Sequence, residues 1–182
     1  TARALDGIVR SGKALYVGIS NYNKEQTIAI AELFKEMGTP FVINQRKYSM
    51  LDRSIEKDGL KDYAAAHGIG IITFCPLAQG LLTDKYLNGI PADSRAAGKS
   101  VFLSEKAITE EKIAKISKLN DMAKERGQSL AQMALVWALK QGRLTSVILG
   151  ASRSSQVVEN VKALDNMEFT DEEMKKIDEI LK

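Results

Sequence analysis

Three short polar motifs stand where apolar runs stop. They are Gly18-Ile19-Ser20-Asn21, Val42-Ile43-Asn44-Gln45 and Leu149-Gly150-Ala151-Ser152-Arg153, with Glu159-Asn160 one helix length beyond the last. A strand that ends this way sets amides, hydroxyls and a guanidinium at one rim of a sheet. In α/β folds that rim binds ligands. Ser20, Asn21 and Gln45 would sit on successive strand ends. Neighbouring parallel strands lie about 4.8 Å apart, so these groups can converge on one small planar amide. Taken alone, loop capping by Asn21 or Asn23 explains the first motif better.

The third motif has another chemistry. Ser152, Arg153, Ser154 and Ser155 lead into a helix, whose free N–H groups and dipole attract an anion, and Arg153 can add a charge-assisted bond. Capping of the helix by these serines accounts for them equally well. Phe74-Cys75-Pro76-Leu77-Ala78-Gln79-Gly80 closes a further apolar run, and an aromatic there can stack on a ligand ring or simply fill a core.

Acid–base pairs are harder to find. His67 and Cys75 suggest a thiol–imidazole pair, but one precedes a strand and the other ends it. At about 3.3 Å per residue the two groups lie roughly 20 Å apart. His67, before Gly68, reads as a helix C-terminal residue favoured by the dipole. His and Cys nowhere cluster as a metal would require. Tyr48 beside Lys47 reads as packing or loop anchoring, and Trp137 as core.

The elements that must position these residues alternate. Residues 2–11 have helical spacing. Leu15–Ile19 reads as a short buried strand, and Asn23 with Gln26 forms a capping box for the helix that ends near Gly38. Phe41–Asn44 is a second strand, Ile55–His67 a helix and Ile69–Phe74 a third strand, apolar on both faces as in a covered parallel sheet. Residues 76–108, with Pro76, Gly80, Gly89, Pro91 and Gly98, read as a long loop, functional or mobile. Helices follow over 110–126 (capped by Thr109) and 130–141 (a Ser129–Gln132 box). Val147–Leu149 is a fourth strand, Gln156–Leu164 its helix, and Thr170–Glu173 caps the closing helix. This is a β-α-β rhythm of parallel crossovers without a linker, hence one domain over 1–182.

Composition sets wide limits. The chain has 182 residues, 45% hydrophobic and 27% charged, with net charge +3. That is ordinary for a soluble globular domain and offers no argument for nucleic acid or a membrane surface. No apolar run reaches the roughly 18 residues of a spanning helix. A single cysteine, Cys75, fits a reducing, cytoplasmic setting. The first residue is Thr1, not Met, as expected of a processed or truncated polypeptide.

Together these strings carry a resemblance: Gly12-Lys13-Ala14-Leu15-Tyr16-Val17-Gly18-Ile19-Ser20-Asn21; Ile43-Asn44-Gln45 with Tyr48-Ser49 and Leu51; Phe74 to Leu82 with Thr83, Lys85 and Tyr86; and Gly150-Ala151-Ser152-Arg153 with Gln156, Glu159 and Asn160. In order and spacing, over essentially the whole chain, they resemble the aldo-keto reductases. The likeness is to the branch of bacterial glyceraldehyde-3-phosphate and methylglyoxal reductases and of potassium-channel beta subunits.

The resemblance implies a (β/α)8 barrel that binds NADP(H) and reduces an aldehyde or ketone. By motif, Ser20, Asn21 and Gln45 would hold the nicotinamide carboxamide, and Phe74 would take the ring-stacking position. Cys75 stands where many relatives have Ser. Pro76 belongs to the same motif; Leu77, Gln79, Lys85 and Arg95 would line the diphosphate and adenosine path. Gly150, Ser152, Arg153 and Gln156 would surround the 2′-phosphate, and Glu159 and Asn160 would meet the adenine.

The family's Asp, Tyr, Lys and His tetrad belongs to the first half of the barrel, which has no counterpart here. A barrel of this kind takes about 250 residues. The expectation is therefore a C-terminal half-barrel of four parallel strands with no catalytic residue and no activity alone. Its two unpaired edges, Leu15–Ile19 and Val147–Leu149, should promote self-association. The alternative is a non-catalytic NADP(H)-binding or interaction module, as in the channel subunits.

Overall fold

The structure, a computed structural model, describes residues 1–98, 101–142 and 144–182. Its elements in order are α1 (Ala2–Arg10), β1 (Val17–Ser20), α2 (Lys24–Met37), β2 (Phe41–Lys47), α3 (Ser54–Lys57), α4 (Leu60–Ala66), β3 (Gly70–Phe74), α5 (Glu110–Glu125), α6 (Leu130–Gly142), β4 (Ser146–Val147), α7 (Ser154–Val161) and α8 (Asp171–Leu181). The strands form one parallel sheet in the order β1-β2-β3-β4. Sequential order with helical crossovers is what a winding β/α unit produces.

Local chemistry sets the helix ends. Asn23 Oδ1 accepts from the Gln26 N–H at 2.9 Å while Gln26 Oε1 accepts from the Asn23 N–H at 3.0 Å, a reciprocal capping box for α2. Gly38 closes that helix with φ 67°, a conformation that costs glycine nothing. Ser129 with Gln132 and Thr170 with Glu173 repeat the box on α6 and α8.

The sheet has two unlike faces. Val17, Ile19, Asn44, Ile71 and Thr73 are buried against the helices. The alternate residues, Gly18, Ser20, Ile43, Gln45, Lys47, Gly70, Ile72 and Phe74, lie on the other side, half-buried or exposed. Among them one row runs Gly18–Ile43–Gly70 in register across three strands. A Cβ on Gly18 would meet Ile43 Cγ1 at 2.6 Å, and one on Gly70 would meet Ile43 Cγ2 at 3.1 Å. Two glycines thus make the space that one isoleucine fills.

The main core lies behind the helix face. Trp137 is fully buried on α6; Tyr48 stacks on it at 5.3 Å and the Arg53 guanidinium lies 5.3 Å from its ring. Arg53 also bonds Glu56 and, at 2.5 Å, Asp178 of α8, so the last helix is tied to the segment after β2.

Several boundaries differ from the sequence reading. β1 begins at Val17, where Val17 N donates to Pro40 O; Leu15 and Tyr16 precede the ladder and are exposed. β2 runs three residues past Asn44, because Gln45, Arg46 and Lys47 pair with Ile72, Thr73 and Phe74. The helix expected over 55–67 is two, divided at Gly59 with φ 72°. β4 is only Ser146–Val147, although Ile148 N still donates to Thr73 O at 2.7 Å. The segment after β3 is not a loose loop. It holds three 3-10 turns, and Leu82, Tyr86, Ala96 and Leu103 are buried in the core; its residues 99 and 100 lie outside the described residues.

Both sheet edges are open. β1 pairs only with β2 and β4 only with β3 among the described residues. On the helical segment that follows β4, Val157, Val158, Val161 and Leu164 are more than half exposed, an unusual state for four large aliphatic side chains.

Candidate ligand site at the strand carboxyl ends

Ser20 ends β1 directly opposite Gln45 on β2, and both point to the open face. Asn21 follows in the left-handed region, φ 62°, its N–H donating to Gln45 O at 2.9 Å and its Nδ2 to Ser20 Oγ at 3.2 Å. An asparagine tolerates that conformation better than most side chains. The two strands thereby bring Ser20, Asn21 and Gln45 together, as their motifs foretold. The Gln45 amide has no side-chain hydrogen-bond partner among the described residues, so its donors and its oxygen stay available.

Lys47 and Phe74 form the next row out on the same face. Phe74 is half-buried, with one side turned to the open face. Lys47 pairs with Asp52 at 3.2 Å and is half exposed. Its place on the open face follows from the extension of β2 past Asn44 to Lys47, which the local sequence does not signal.

After Phe74 the chain turns sharply. Cys75, Ala78 and Gln79 all have positive φ, at 56°, 47° and 61°. Three non-glycine residues in that region mark a backbone held by its surroundings. The turn joins distant side chains: Arg95 Nη1 donates to Gln79 Oε1 at 2.6 Å, and Gln79 Nε2 donates to Cys75 Sγ at 2.9 Å. Pro76 is buried and Leu77 packs between two parts of the core. Lys85 stands apart from this group, 3.9 Å from Asp93.

The loop after β4 makes the far end. Gly150 has no heavy atom near its Cβ position, leaving room for close approach. Gln156 Oε1 accepts from Ser152 N at 2.8 Å and from Ser152 Oγ at 3.2 Å, which folds the loop onto the first turn of α7. Arg153 is the N-cap residue, exposed and without a side-chain cap bond. Of the first N–H groups of α7, that of Gln156 donates to Arg153 O at 3.1 Å, and no side chain caps the helix at Arg153. Glu159 bonds Lys162 at 2.7 Å through its carboxylate and accepts from Gln132 Nε2 at 2.7 Å through its carbonyl. Asn160, next to it, is half-buried. From β1 to β4 is three strand spacings, about 14 Å, so these residues line a rim rather than a pocket.

The other candidates go elsewhere. Tyr48 is buried, its hydroxyl bonded to Glu56; burial and that carboxylate push its pKa far above the ordinary tyrosine range. His67 bonds Tyr63 O and stacks on the Tyr63 ring at 4.0 Å, away from Cys75. No group of three or more His, Cys, Asp or Glu among the described residues is arranged to hold a metal, and no described helix is long and apolar enough to cross a membrane. A cleft of about 370 Å³ between α5 and α8 is lined mainly by charged side chains such as Lys118 and Glu179 and lies off the rim.

The model of the aldo/keto reductase family matches residues 1–182. L-glyceraldehyde 3-phosphate reductase of Escherichia coli K12 is 51% identical over 182 residues, covering 98% of this chain and 53% of that protein. A probable voltage-gated potassium channel subunit beta of rice is 36% identical over 171 residues, 91% of this chain and 51% of that one. Among solved structures, a glycerol dehydrogenase of Gluconobacter oxydans superposes with a TM-score of 0.78 at 30% identity, over 99% of this chain and 53% of that one. The chain spans about half the length of the curated relatives it matches, and its four parallel strands and helices are half of the family's (β/α)8 barrel. A match along its whole length, in sequence and in fold, means that the chain belongs to the aldo/keto reductase family.

Proposed function

We propose that this chain is the NADP(H)-binding half of a carbonyl reductase. The observation that carries the reading is the row of Ser20 and Gln45 with Asn21 pinned beside it, three amide and hydroxyl groups converging on the open face at a strand rim. Their donors and acceptors suit a carboxamide, which needs both. Phe74 offers a flat apolar face near them. At the other end, Arg153 and the uncapped N-terminus of α7 suit a phosphate dianion, which favours NADP(H) over NAD(H). Between them, Cys75, Leu77, Gln79, Lys85 and Arg95 supply the path for the diphosphate and adenosine, with Glu159 and Asn160 nearest the adenine.

When bound, the nicotinamide supplies the hydride. The residues of this chain hold and orient it, and their share is geometric and electrostatic. The 51% identity to a glyceraldehyde 3-phosphate reductase favours a small aldehyde as substrate. Lys47 stands on the open face next to Phe74, ion-paired with Asp52. Neither Tyr48, tied to Glu56, nor His67, stacked on Tyr63, is placed as a proton donor at this rim. The chain by itself is therefore expected to bind without turning over. A binding module of the channel-subunit kind is the second reading; the lower identity to those relatives makes it second.

The test is a fluorescence titration of the purified chain with NADPH and NADH, repeated on Arg153→Ala. Saturable NADPH binding, weaker for NADH, with the preference lost in the variant, supports the proposal. No saturable binding of either overturns it. Aldehyde reduction by the pure chain at a rate near that of the intact reductase would refute its inactivity.

A further inference from the structure

We propose that Asn44 is a positioning residue that clamps the Ser20–Asn21 loop and so sets the nicotinamide end of the site. This rests on the cofactor reading above. Asn44 lies between Ile43 and Gln45 on β2, but it faces the helices, not the ligand, and is fully buried. Its Nδ2 donates to Tyr22 O at 2.9 Å and to Thr27 Oγ1 at 2.9 Å. Tyr22 follows Asn21 directly, so one of these bonds fixes the loop and the other fixes the helix behind it.

The donor assignment follows from the partners. Tyr22 O is a carbonyl and can only accept. Thr27 is also fully buried, and its hydroxyl proton goes to Asn23 O at 2.7 Å, so its remaining role toward Asn44 is acceptance. Both neighbours require N–H from Asn44, and Oδ1 is left without a partner. An aspartate or a leucine of similar size cannot replace it.

The consequence for the site is mechanical. Asn21 sits at positive φ with its N–H on Gln45 O. Residues 20 to 22 are thus stitched to β2 twice, by backbone at residue 21 and by the Asn44 side chain at residue 22. Releasing the second stitch leaves a strained turn held by one bond. Asn21 and Tyr22 then sample other positions while Ser20 and Gln45, paired in the ladder, stay fixed. The effect is confined to the carboxamide end, because the α7 end hangs from β4 at the other side of the sheet.

The experiment compares Asn44→Leu and the milder Asn44→Ser with Thr27→Val, which removes the bonds of the Thr27 hydroxyl to Asn44 and to Asn23 O but leaves the Asn44 bond to Tyr22. Two readouts are taken on each chain: amide hydrogen exchange, and binding of NADPH and of 2′,5′-ADP, which lacks the nicotinamide. Losing one hydrogen bond of this kind corresponds to about a five- to tenfold change. The expected result in Asn44→Ser is faster exchange of the Asn21 amide by that factor with β3 amides unaltered. NADPH binding weakens in proportion, 2′,5′-ADP stays within about twofold, and Thr27→Val shows a smaller change in both. Unchanged Asn21 exchange, or equal weakening of NADPH and 2′,5′-ADP, overturns the inference. A wild-type chain that binds neither nucleotide overturns the cofactor reading and the inference with it. Normal wild-type binding beside an indifferent Asn44→Ser overturns the inference alone.

Discussion

Placing a methyl group on Gly18 tests whether the inner face of this sheet is packed as a register row. The new Cβ would lie 2.6 Å from Ile43 Cγ1 and 3.3 Å from Ile43 O, where ordinary contacts begin near 3.4 Å. About 0.8 Å of relief is needed (3.4 minus 2.6), and Cγ1 is next to the branch point, so a small swing of the side-chain tip cannot provide it. On the other flank a Cβ at Gly70 would likewise meet Ile43 Cγ2 at 3.1 Å, so Ile43 fills the space left by both glycines. Overpacking of this kind costs about 1–3 kcal/mol. Removing a glycine from a strand returns about 0.5–1 kcal/mol. Gly18→Ala should therefore destabilise the chain by about 1–2 kcal/mol, read as a lower urea midpoint at unchanged slope.

The decisive assay is the double-mutant cycle. Ile43→Ala alone should cost about 2 kcal/mol, the low end for buried aliphatics, because Ile43 is only half-buried. If the clash is the cause, adding Gly18→Ala to it should return the roughly 0.5–1 kcal/mol of the strand glycine, a coupling equal to the overpacking term of about 1–3 kcal/mol. Additivity within about 0.5 kcal/mol would show that the two side chains do not meet, and would refute the row. The site is exposed to the same change: Ser20 lies two residues on, and a displaced β1 carries it away from Gln45.

Other expectations are quicker to check. Arg53→Leu loses bonds to Glu56 and Asp178 and the contact with Trp137, and should cost about 1–3 kcal/mol in thermal or urea unfolding; a neutral outcome would mean α8 is not tied down there. Glu173 is pulled in two directions: partial burial raises its pKa, but the Thr170 N–H and Arg126 together hold it below the ordinary 4.5. Since the folded value is the depressed one, its contribution is complete above pH 4.5 and fades as pH falls through the lower folded value. Glu173→Gln should flatten that acid limb, and an unaltered limb would exclude the group. The open edges and the exposed Val157, Val158 and Val161 should make the chain associate at tens of micromolar; light scattering should show mass rising with concentration, less so in Val158→Glu, whereas a constant monomer mass contradicts it.

The helix ends were legible before any coordinates. Asn23 with Gln26, Ser129 with Gln132 and Thr170 with Glu173 are bonds within one turn, so spacing alone specifies them. The ends of β1 and β3 were legible, the first because an apolar run stops at Ser20-Asn21 and the second because Pro76 follows the apolar run that Phe74 closes. The break at Gly59 was not, because a single glycine within a helical pattern is tolerated as often as it divides one. The extension of β2 was missed for a different reason. Asn44-Gln45-Arg46-Lys47 has no strand propensity to speak of, and it is β only because β3 offers it a ladder.

Sequence alone therefore determined the order of elements, their caps and the residue types at the rim, since each depends on neighbours three or four positions away. Which side of the sheet each residue takes was decided by tertiary structure. Register sets Gln45 toward the open face and Asn44 into the core, makes Gly18 and Gly70 the walls around Ile43, and joins Arg95 to Gln79 across sixteen residues. A side chain in a strand reverses face with each single step, so no local pattern of polar residues fixes it; only the pairing of strands far apart in the chain does.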